Sequence, residues 1–179
     1  CEPACRRGRV EEKPVAICRL KRVAADHKDD IVDRLPVIPA QKNGKRVACI
    51  GAGPASLTVA NDLLPLGYDV VIFEQWDKPG GLMRTNIPAF RLPESVIDEE
   101  IGYITGMGAE IRYNSRIDSL KKLLATGGFD AVFVGSGAPK GKELKLPGRK
   151  EAGANIHIGI QWLESVAFKH LDRIGERVL

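Results

Sequence analysis

Two glycines and one acidic residue carry the clearest chemistry in this sequence. Gly51 and Gly53 lie in RVACIGAGPAS (residues 46–56), and Glu74 follows about 20 residues after them. Gly51 permits a tight turn, and Gly53 lacks a Cβ, so that a diphosphate can approach the backbone closely. A carboxylate placed like Glu74 can accept a hydrogen bond from a ribose 2′-hydroxyl. The spacing therefore predicts a dinucleotide-binding site.

Such a site needs a strand before the glycines and a helix after them, and the sequence supplies both. Residues 47–50 are an unbroken apolar run, which is typical of a parallel strand covered on both faces. Pro54 suits a first helical turn, where its missing N–H costs nothing, and the free N–H groups of that turn attract phosphate. Ser56 takes the place of the third small residue of the pattern. The helix would pack on the sheet through apolar residues at helical spacing, which are Val59, Ala60, Leu63 and Leu64.

The choice among dinucleotides depends first on Glu74. Its charge would repel a 2′-phosphate, which disfavours NADP in this site, whereas NAD and FAD both carry a free ribose. A second glycine pair, Gly80 and Gly81, follows in QWDKPGGLMRTNIP (residues 75–88) and again permits close approach to a ligand. A plain surface turn would explain Lys-Pro-Gly-Gly equally well.

Several segments together resemble one family. They are GAGPAS (51–56), Glu74, GGLMR (80–84) and IPAFRLP (87–93). The chain is similar to the small (beta) subunit of NADPH-dependent glutamate synthase and its relatives, which include NADPH–acceptor and iron oxidoreductase subunits and part of dihydropyrimidine dehydrogenase. GGLMRTNIP most resembles the stand-alone homologues. The resemblance covers nearly the whole chain and favours FAD over NAD.

The resemblance implies an α/β fold. An incomplete, parallel, Rossmann-like FAD-binding domain would follow a short helical arm of an iron–sulfur domain. The implied segments are the iron–sulfur arm at 1–34, a linker at 35–44, the FAD domain at 45–150 and a crossover helix at 151–179. Relatives begin the NADPH domain after that helix, so we expect a fragment that lacks the NADPH site.

The resemblance also implies a set of cofactor-binding residues. They are Gly51, Gly53, Pro54, Ala55, Glu74, Gln75, Gly80, Gly81, Leu82, Arg84, Asn86, Ile117, Ser136 and Gly137. Arg84 and Asn86 are the nearest candidates for contact with the flavin ring. Ser136 and Gly137 follow a predicted strand, where a simple turn is an alternative. We identify no catalytic side chain, because FAD would perform the redox chemistry.

The cysteines raise the question of a metal cluster. Cys1 and Cys5 could hold one edge of a cluster, although a complete site needs four thiolates and the spacing alone favours two unrelated thiols. The resemblance implies that both are ligands of a 4Fe–4S cluster whose other ligands lie upstream. Cys18, within a predicted helix, is expected to be a packing residue rather than a ligand. Cys49 is expected to lie inside a buried strand. Four cysteines in 179 residues do not indicate a disulfide scaffold, so we expect a reducing cytoplasm.

Composition and charge indicate the class of protein and the kinds of partner to expect. With 44% hydrophobic and 28% charged residues, the chain is expected to be globular, and no apolar run approaches the ~20 residues of a membrane span. The basic residues between positions 6 and 22 lack interleaved aromatics, so nucleic acid is not an expected partner. The expected partner is an electron-acceptor subunit, in a homo- or hetero-oligomer. An NAD-binding module and a non-catalytic interaction fragment are the alternatives.

Periodicity predicts the remaining elements. The predicted helices cover 14–27, 94–107, 117–125 and 156–168, and the predicted strands cover 109–113 and 129–135, the latter buried. The residues 139–154 are rich in Lys, Gly and Pro and are expected to form a loop.

Overall fold

The computed structural model describes residues 1–171 and 173–178, and these divide into two compact units, residues 1–35 and 36–179. The predicted crossover segment 151–179 includes Asp172 and Leu179, which lie outside the described residues. No helix in the described part of the chain is both long enough and apolar enough to cross a membrane.

The first unit contains one α-helix and three 3-10 turns. Helix α1 spans Ile17–Asp26, and the turns span Glu2–Ala4, Arg6–Arg9 and Val32–Arg34. The sequence predicts an apolar face on this helix, yet Leu20 and Val23 are both about half exposed and no residue of α1 is buried.

The second unit is built on four parallel strands. They are β1 (Arg46–Ile50), β2 (Asp69–Phe73), β3 (Glu110–Arg112) and β4 (Ala131–Val134), in the order β3-β2-β1-β4. Val47 of β1 lies opposite Val70 of β2 on one side and Ala131 of β4 on the other. Strand β1 is therefore central, and its middle three residues are buried, as its apolar run predicts. Burial raises the pKa of the Cys49 thiol to about 11, so this group stays protonated at neutral pH.

Helices follow the strands along the chain, and two of them contribute buried apolar residues to the core. The helices are α2 (Pro54–Leu63), α3 (Leu82–Thr85), α4 (Glu94–Gly106), α5 (Leu120–Thr126) and α6 (Gly159–Ala167), with 3-10 turns at Leu64–Leu66 and Gly153–Asn155. Helix α5 begins later than the predicted residue 117 because the Ser119 side chain accepts the N–H of Lys122 and caps the helix there.

Buried residues cover both faces of the two central strands. On one face Cys49 and Ile72 pack with Leu57 of α2 and Ile97 of α4. On the other face a smaller cluster contains Ala48, Val71, Phe73 and Phe129. The sheet thereby holds the carboxyl ends of β1 and β2 in fixed register for the loops that follow them.

Strand β4 corrects one prediction. The sequence predicts a buried strand over 129–135, but β4 has no fully buried residue and Val134 is 54% exposed. The physical reason is that β4 lies at an edge, since no other strand of the described residues pairs with its outer side. An apolar run does not distinguish an edge strand from a central one.

Candidate dinucleotide-binding site

A cavity of about 830 Å³ opens where β1, β2 and β4 end. Ligands of open parallel sheets bind at the carboxyl ends of the strands, and this volume lies within the roughly 300–1,000 Å³ of small-molecule sites. Its lining includes the loop after β1, the loop after β2 and the loop after β4.

The two glycines after β1 have different roles. Gly51 has a φ of +87°, and a Cβ there would lie 2.9 Å from the carbonyl oxygen of Gly135, so the fold itself requires glycine. Gly53 has a φ of −81°, and the atom nearest to a Cβ there would be the Gly81 Cα at 3.8 Å. Protein atoms thus leave room for a Cβ at Gly53, beside the cavity that this residue lines.

The second glycine pair packs directly on the first. The N–H of Gly80 donates to the carbonyl oxygen of Ala52 over 2.8 Å. Gly81 has a φ of +52°, and a Cβ there would lie 2.8 Å from the Gly53 Cα. The two turns therefore form one continuous backbone surface beside the first turn of α2, whose N–H groups suit a diphosphate.

Glu74 lies at the edge of this surface and is only 5% exposed. One carboxylate oxygen accepts the N–H of Ala52 at 2.7 Å, and the other accepts the N–H of Trp76 at 3.0 Å. A carboxylate has roughly four lone-pair sites, so both oxygens can accept further bonds from a ligand. Glu74 therefore also holds the turn after β1 in place, a role that its spacing does not reveal.

Ser56 explains the close approach of α2 to β4. A Cβ at Gly135 would lie 2.3 Å from the Ser56 Oγ, which is buried and has no hydrogen-bond partner in the described part of the chain. The small Ser56 side chain thus fits against a backbone that itself needs glycine. This contact fixes the start of the loop carrying Ser136 and Gly137, which line the cavity.

Helix α6 lies beside the cavity, a position that the sequence does not predict. The Asn86 Nδ2 donates to the carbonyl oxygen of Ile160 at 3.4 Å, and the Phe168 and Trp76 ring centroids are 5.2 Å apart. Glu164 lies one turn from Ile160 of α6 and one turn from Phe168, the residue after this helix, and it lines the cavity.

Most of the predicted cofactor-binding residues line this one cavity. These are Gly51, Gly53, Pro54, Ala55, Glu74, Gln75, Gly81, Leu82, Ile117, Ser136 and Gly137. Gly80, Arg84 and Asn86 do not line it, and the hydrogen bonds of the Arg84 side chain go to Pro79, Glu94 and Asp98 instead. Neither Arg84 nor Asn86 belongs to the lining of this cavity, and their contact with a flavin ring stays a prediction.

Other lining residues were not predicted. They are Ile50, Phe73, Trp76, Thr85, Ser115, Arg116, Val134, Gly135, Ala138, Pro139 and Glu164. Ile50, Phe73 and Val134 end parallel strands, so the rule that ligands bind at strand carboxyl ends could have identified them. Ser115, Arg116 and Glu164 carry no such local signal.

The cysteines do not form a complete metal site. Cys1 is exposed and Cys5 is half-buried, and the described residues contain no group of three or more His, Cys, Asp or Glu side chains suited to a metal ion. Hydrogen bonds from the backbone at Val15 and Arg7 lower the pKa of the Cys5 thiol below its usual value. A four-thiolate cluster therefore does not fit the described residues by themselves.

Comparison with known proteins agrees with this geometry. A family described as NAD(P)-binding Rossmann-like domain matches residues 49–113. The chain is 38% identical over 167 residues to the NAD-dependent dihydropyrimidine dehydrogenase subunit PreT homolog of Salmonella typhi, and 36% identical over 166 residues to the glutamate synthase [NADPH] small chain of Mycobacterium tuberculosis. The chain is a homologue of these oxidoreductase subunits. These matches confirm the family resemblance predicted from residues 51–93.

The homology extends over most of this chain but not over most of the relatives. The two matches cover 92% and 91% of the chain, whereas the chain spans 39% of the PreT homolog and 33% of the small chain. Among solved structures, Mycobacterium tuberculosis FprA in complex with NADPH aligns with a TM-score of 0.58 at 18% identity, over 68% of this chain and 28% of FprA. This likeness confirms the α/β, Rossmann-like fold.

Proposed function

We propose that this chain is the FAD-binding part of an iron–sulfur flavoprotein oxidoreductase that takes electrons from NADPH. The observation that carries the proposal is the joint surface of Gly53 and Gly81 beside the first turn of α2, with Glu74 at its edge. Backbone N–H groups would bind the diphosphate, and the Glu74 carboxylate would accept from the ribose 2′-hydroxyl. FAD, when bound, supplies the redox chemistry, while the chain's own residues bind and orient it.

The second half of FAD would extend past Gly81. Leu82 and Thr85 line the cavity there, together with Ser136 and Gly137 from the opposite loop. Pro139, which follows Ser136 and Gly137 in the same loop, also lines the cavity. A mostly apolar lining with few polar groups is typical of cofactor sites and would shield a flavin ring from water.

A second candidate is an NAD-binding module, which the description of the matching family favours. Equilibrium titration of the purified chain with FAD, NAD⁺ and NADP⁺ distinguishes the two. We expect FAD to bind most tightly, and NADP⁺ to bind least because Glu74 repels its 2′-phosphate. Tighter binding of NAD⁺ than of FAD would favour the second candidate and contradict the first.

Cys1 and Cys5 would serve as cluster ligands only together with thiolates outside this sequence. The backbone hydrogen bonds that lower the pKa of Cys5 favour the thiolate form that a cluster needs. Two relatives are named as oxidoreductase subunits or small chains, and a subunit that accepts the electrons would be the partner here. Iron and sulfide analysis of a protein that includes such thiolates, and of its Cys5→Ser variant, tests the ligand assignment.

The proposal also predicts how the FAD-loaded chain responds to NADPH. Hydride transfer needs the nicotinamide within roughly 3–3.5 Å of the flavin. In the described residues, one cavity combines a glycine turn with a helix N-terminus, and FAD would fill it. We therefore expect no rapid bleaching of flavin absorbance when NADPH is added anaerobically in a stopped-flow instrument. Rapid bleaching would place an NADPH site within these 179 residues and contradict the expected division into an FAD-binding part here and an NADPH site elsewhere.

A further inference from the structure

The guanidinium of Arg84 is buried, and all three of its nitrogens donate hydrogen bonds. Its side chain is 4% exposed, and each of its three nitrogens has an acceptor. The Nε donates to the carbonyl oxygen of Pro79 at 2.7 Å, the Nη1 donates to the Glu94 carboxylate at 3.0 Å, and the Nη2 donates to the Asp98 carboxylate. Because both acids belong to α4, the hydrogen bonds of Arg84 connect Pro79, the residue before the glycine pair, to that helix.

These bonds hold the glycine pair in a narrow gap. A Cβ at Gly80 would lie 3.1 Å from the Ile97 Cγ2 of α4, and a Cβ at Gly81 would lie 2.8 Å from the Gly53 Cα. The pair is thus confined between α4 on one side and the turn after β1 on the other. Any movement of Pro79 away from α4 would change the separation of the two glycine turns.

We propose that Arg84 is a positioning residue that sets this separation and thereby shapes the backbone surface for the cofactor's diphosphate. This inference rests on the proposed function only in requiring a ligand with a diphosphate. This role differs from the predicted contact of Arg84 with the flavin ring, and it agrees with the absence of Arg84 from the cavity lining. Arg84 acts through Pro79, Gly80 and Gly81, and it touches no reacting atom.

The inference can be tested without unfolding the chain. The side chains of Glu94 and Asp98 are 50% and 62% exposed, so water can solvate both carboxylates when the guanidinium is removed. Arg84→Met keeps an unbranched apolar chain but removes all three donors. Arg84→Lys keeps a charge and can restore one of the bonds. Arg22→Met is a matched control, since it breaks only an exposed ion pair with Asp26.

Dissociation constants for FAD, ADP and riboflavin separate the possible roles of Arg84. ADP carries the diphosphate without the flavin, and riboflavin carries the flavin without the diphosphate. For Arg84→Met we expect the constants for FAD and ADP to rise by the same factor, at least about tenfold, which corresponds to about 1.4 kcal/mol. Arg84→Lys should recover part of the loss, and the absorbance spectrum of bound FAD should stay unchanged.

Three results would overturn the inference. Unchanged affinity for FAD in a folded Arg84→Met variant, with only a lower unfolding temperature, would give Arg84 a purely structural role. Loss of FAD affinity with normal ADP affinity would place its effect on the flavin side. If Arg84→Met does not fold, Asp98→Asn weakens the same anchor at an exposed carboxylate and should raise both constants by a smaller, equal factor. No change in that variant would equally refute the positioning role.

The test also separates this inference from the proposed function. A wild-type chain that binds ADP but not FAD would contradict the proposed function, yet the effect of Arg84 on ADP binding would still be measurable. A wild-type chain that binds FAD, with Arg84→Met showing no effect, would contradict the inference alone.

Discussion

Replacing Gly53 by valine is expected to remove nearly all affinity for FAD and to leave the fold intact. Gly53 has ordinary extended backbone angles, and the nearest protein atom to a Cβ there is 3.8 Å away. A branched side chain would therefore meet the diphosphate rather than the protein. We expect the dissociation constant to rise by at least roughly 100-fold, which equals about 2.7 kcal/mol. Flavin fluorescence titration measures this change, and thermal unfolding checks the fold.

Gly51 and Gly81 are required by the fold itself, in contrast to Gly53. Gly51→Ala and Gly81→Ala would each place a Cβ within 3.0 Å of backbone atoms at a positive φ, so both variants should unfold at lower temperatures than the wild type. Gly53→Val should unfold close to the wild-type temperature. A Gly53→Val variant that still binds FAD with wild-type affinity would show that the diphosphate lies elsewhere.

Replacing Glu74 by alanine should weaken both FAD binding and the fold. A charge-assisted hydrogen bond to the ribose contributes ~1.5–3 kcal/mol, so the dissociation constant should rise by roughly ten- to a hundredfold. The N–H groups of Ala52 and Trp76 would also lose their acceptors. The Ala52 N–H is part of a buried contact, and leaving such a donor unpaired costs ~1–3 kcal/mol. The unfolding temperature should therefore fall by several degrees.

A second variant separates the two effects of Glu74. Glu74→Gln retains one side-chain oxygen that can accept an N–H, so it should regain part of the stability while it still lacks the negative charge. NADP⁺ binding should then improve relative to NAD⁺, because the repulsion of the 2′-phosphate is removed. Titration at a temperature where every variant is folded measures affinity separately from stability. An unaltered affinity for FAD in Glu74→Ala would exclude the ribose contact.

The parts of this protein that sequence could predict are those that depend on local geometry. Gly51 and Gly53 follow an apolar strand at a spacing that only a strand–turn–helix unit explains, and the helix starts at Pro54 as its residue type predicts. Strand β1 and helix α4 are confirmed close to their predicted bounds. In each case the residue types that predict a turn, helix or strand lie within that element or a few residues from it.

The parts that sequence could not predict depend on contacts between distant residues. The family resemblance implies that Arg84 meets the flavin ring, whereas in the structure its Nη2 donates to the Asp98 carboxylate of α4, 14 residues further along the chain. Glu164 lines the cavity because Ile160 of α6 contacts Asn86 and the residue after this helix, Phe168, contacts Trp76. The exposure of Val134 depends on the position of β4 in the sheet order. Periodicity carries no information on any of these placements.

The sheet order also affects how the chain folds. The bond from the Ala52 N–H to Glu74 closes a loop of 22 residues, whereas the bond from the Arg46 N–H to Asp130 joins residues 84 apart. By the logarithmic dependence of loop-closure entropy on length, the longer closure costs about 1 kcal/mol more. We expect β1, α2 and β2 to assemble first and β4 to join later, an order that pulsed hydrogen exchange at Val70 and Val132 can resolve. Because Ser136 and Gly137 reach the cavity only with β4, a newly made chain would gain its capacity to capture flavin late in folding.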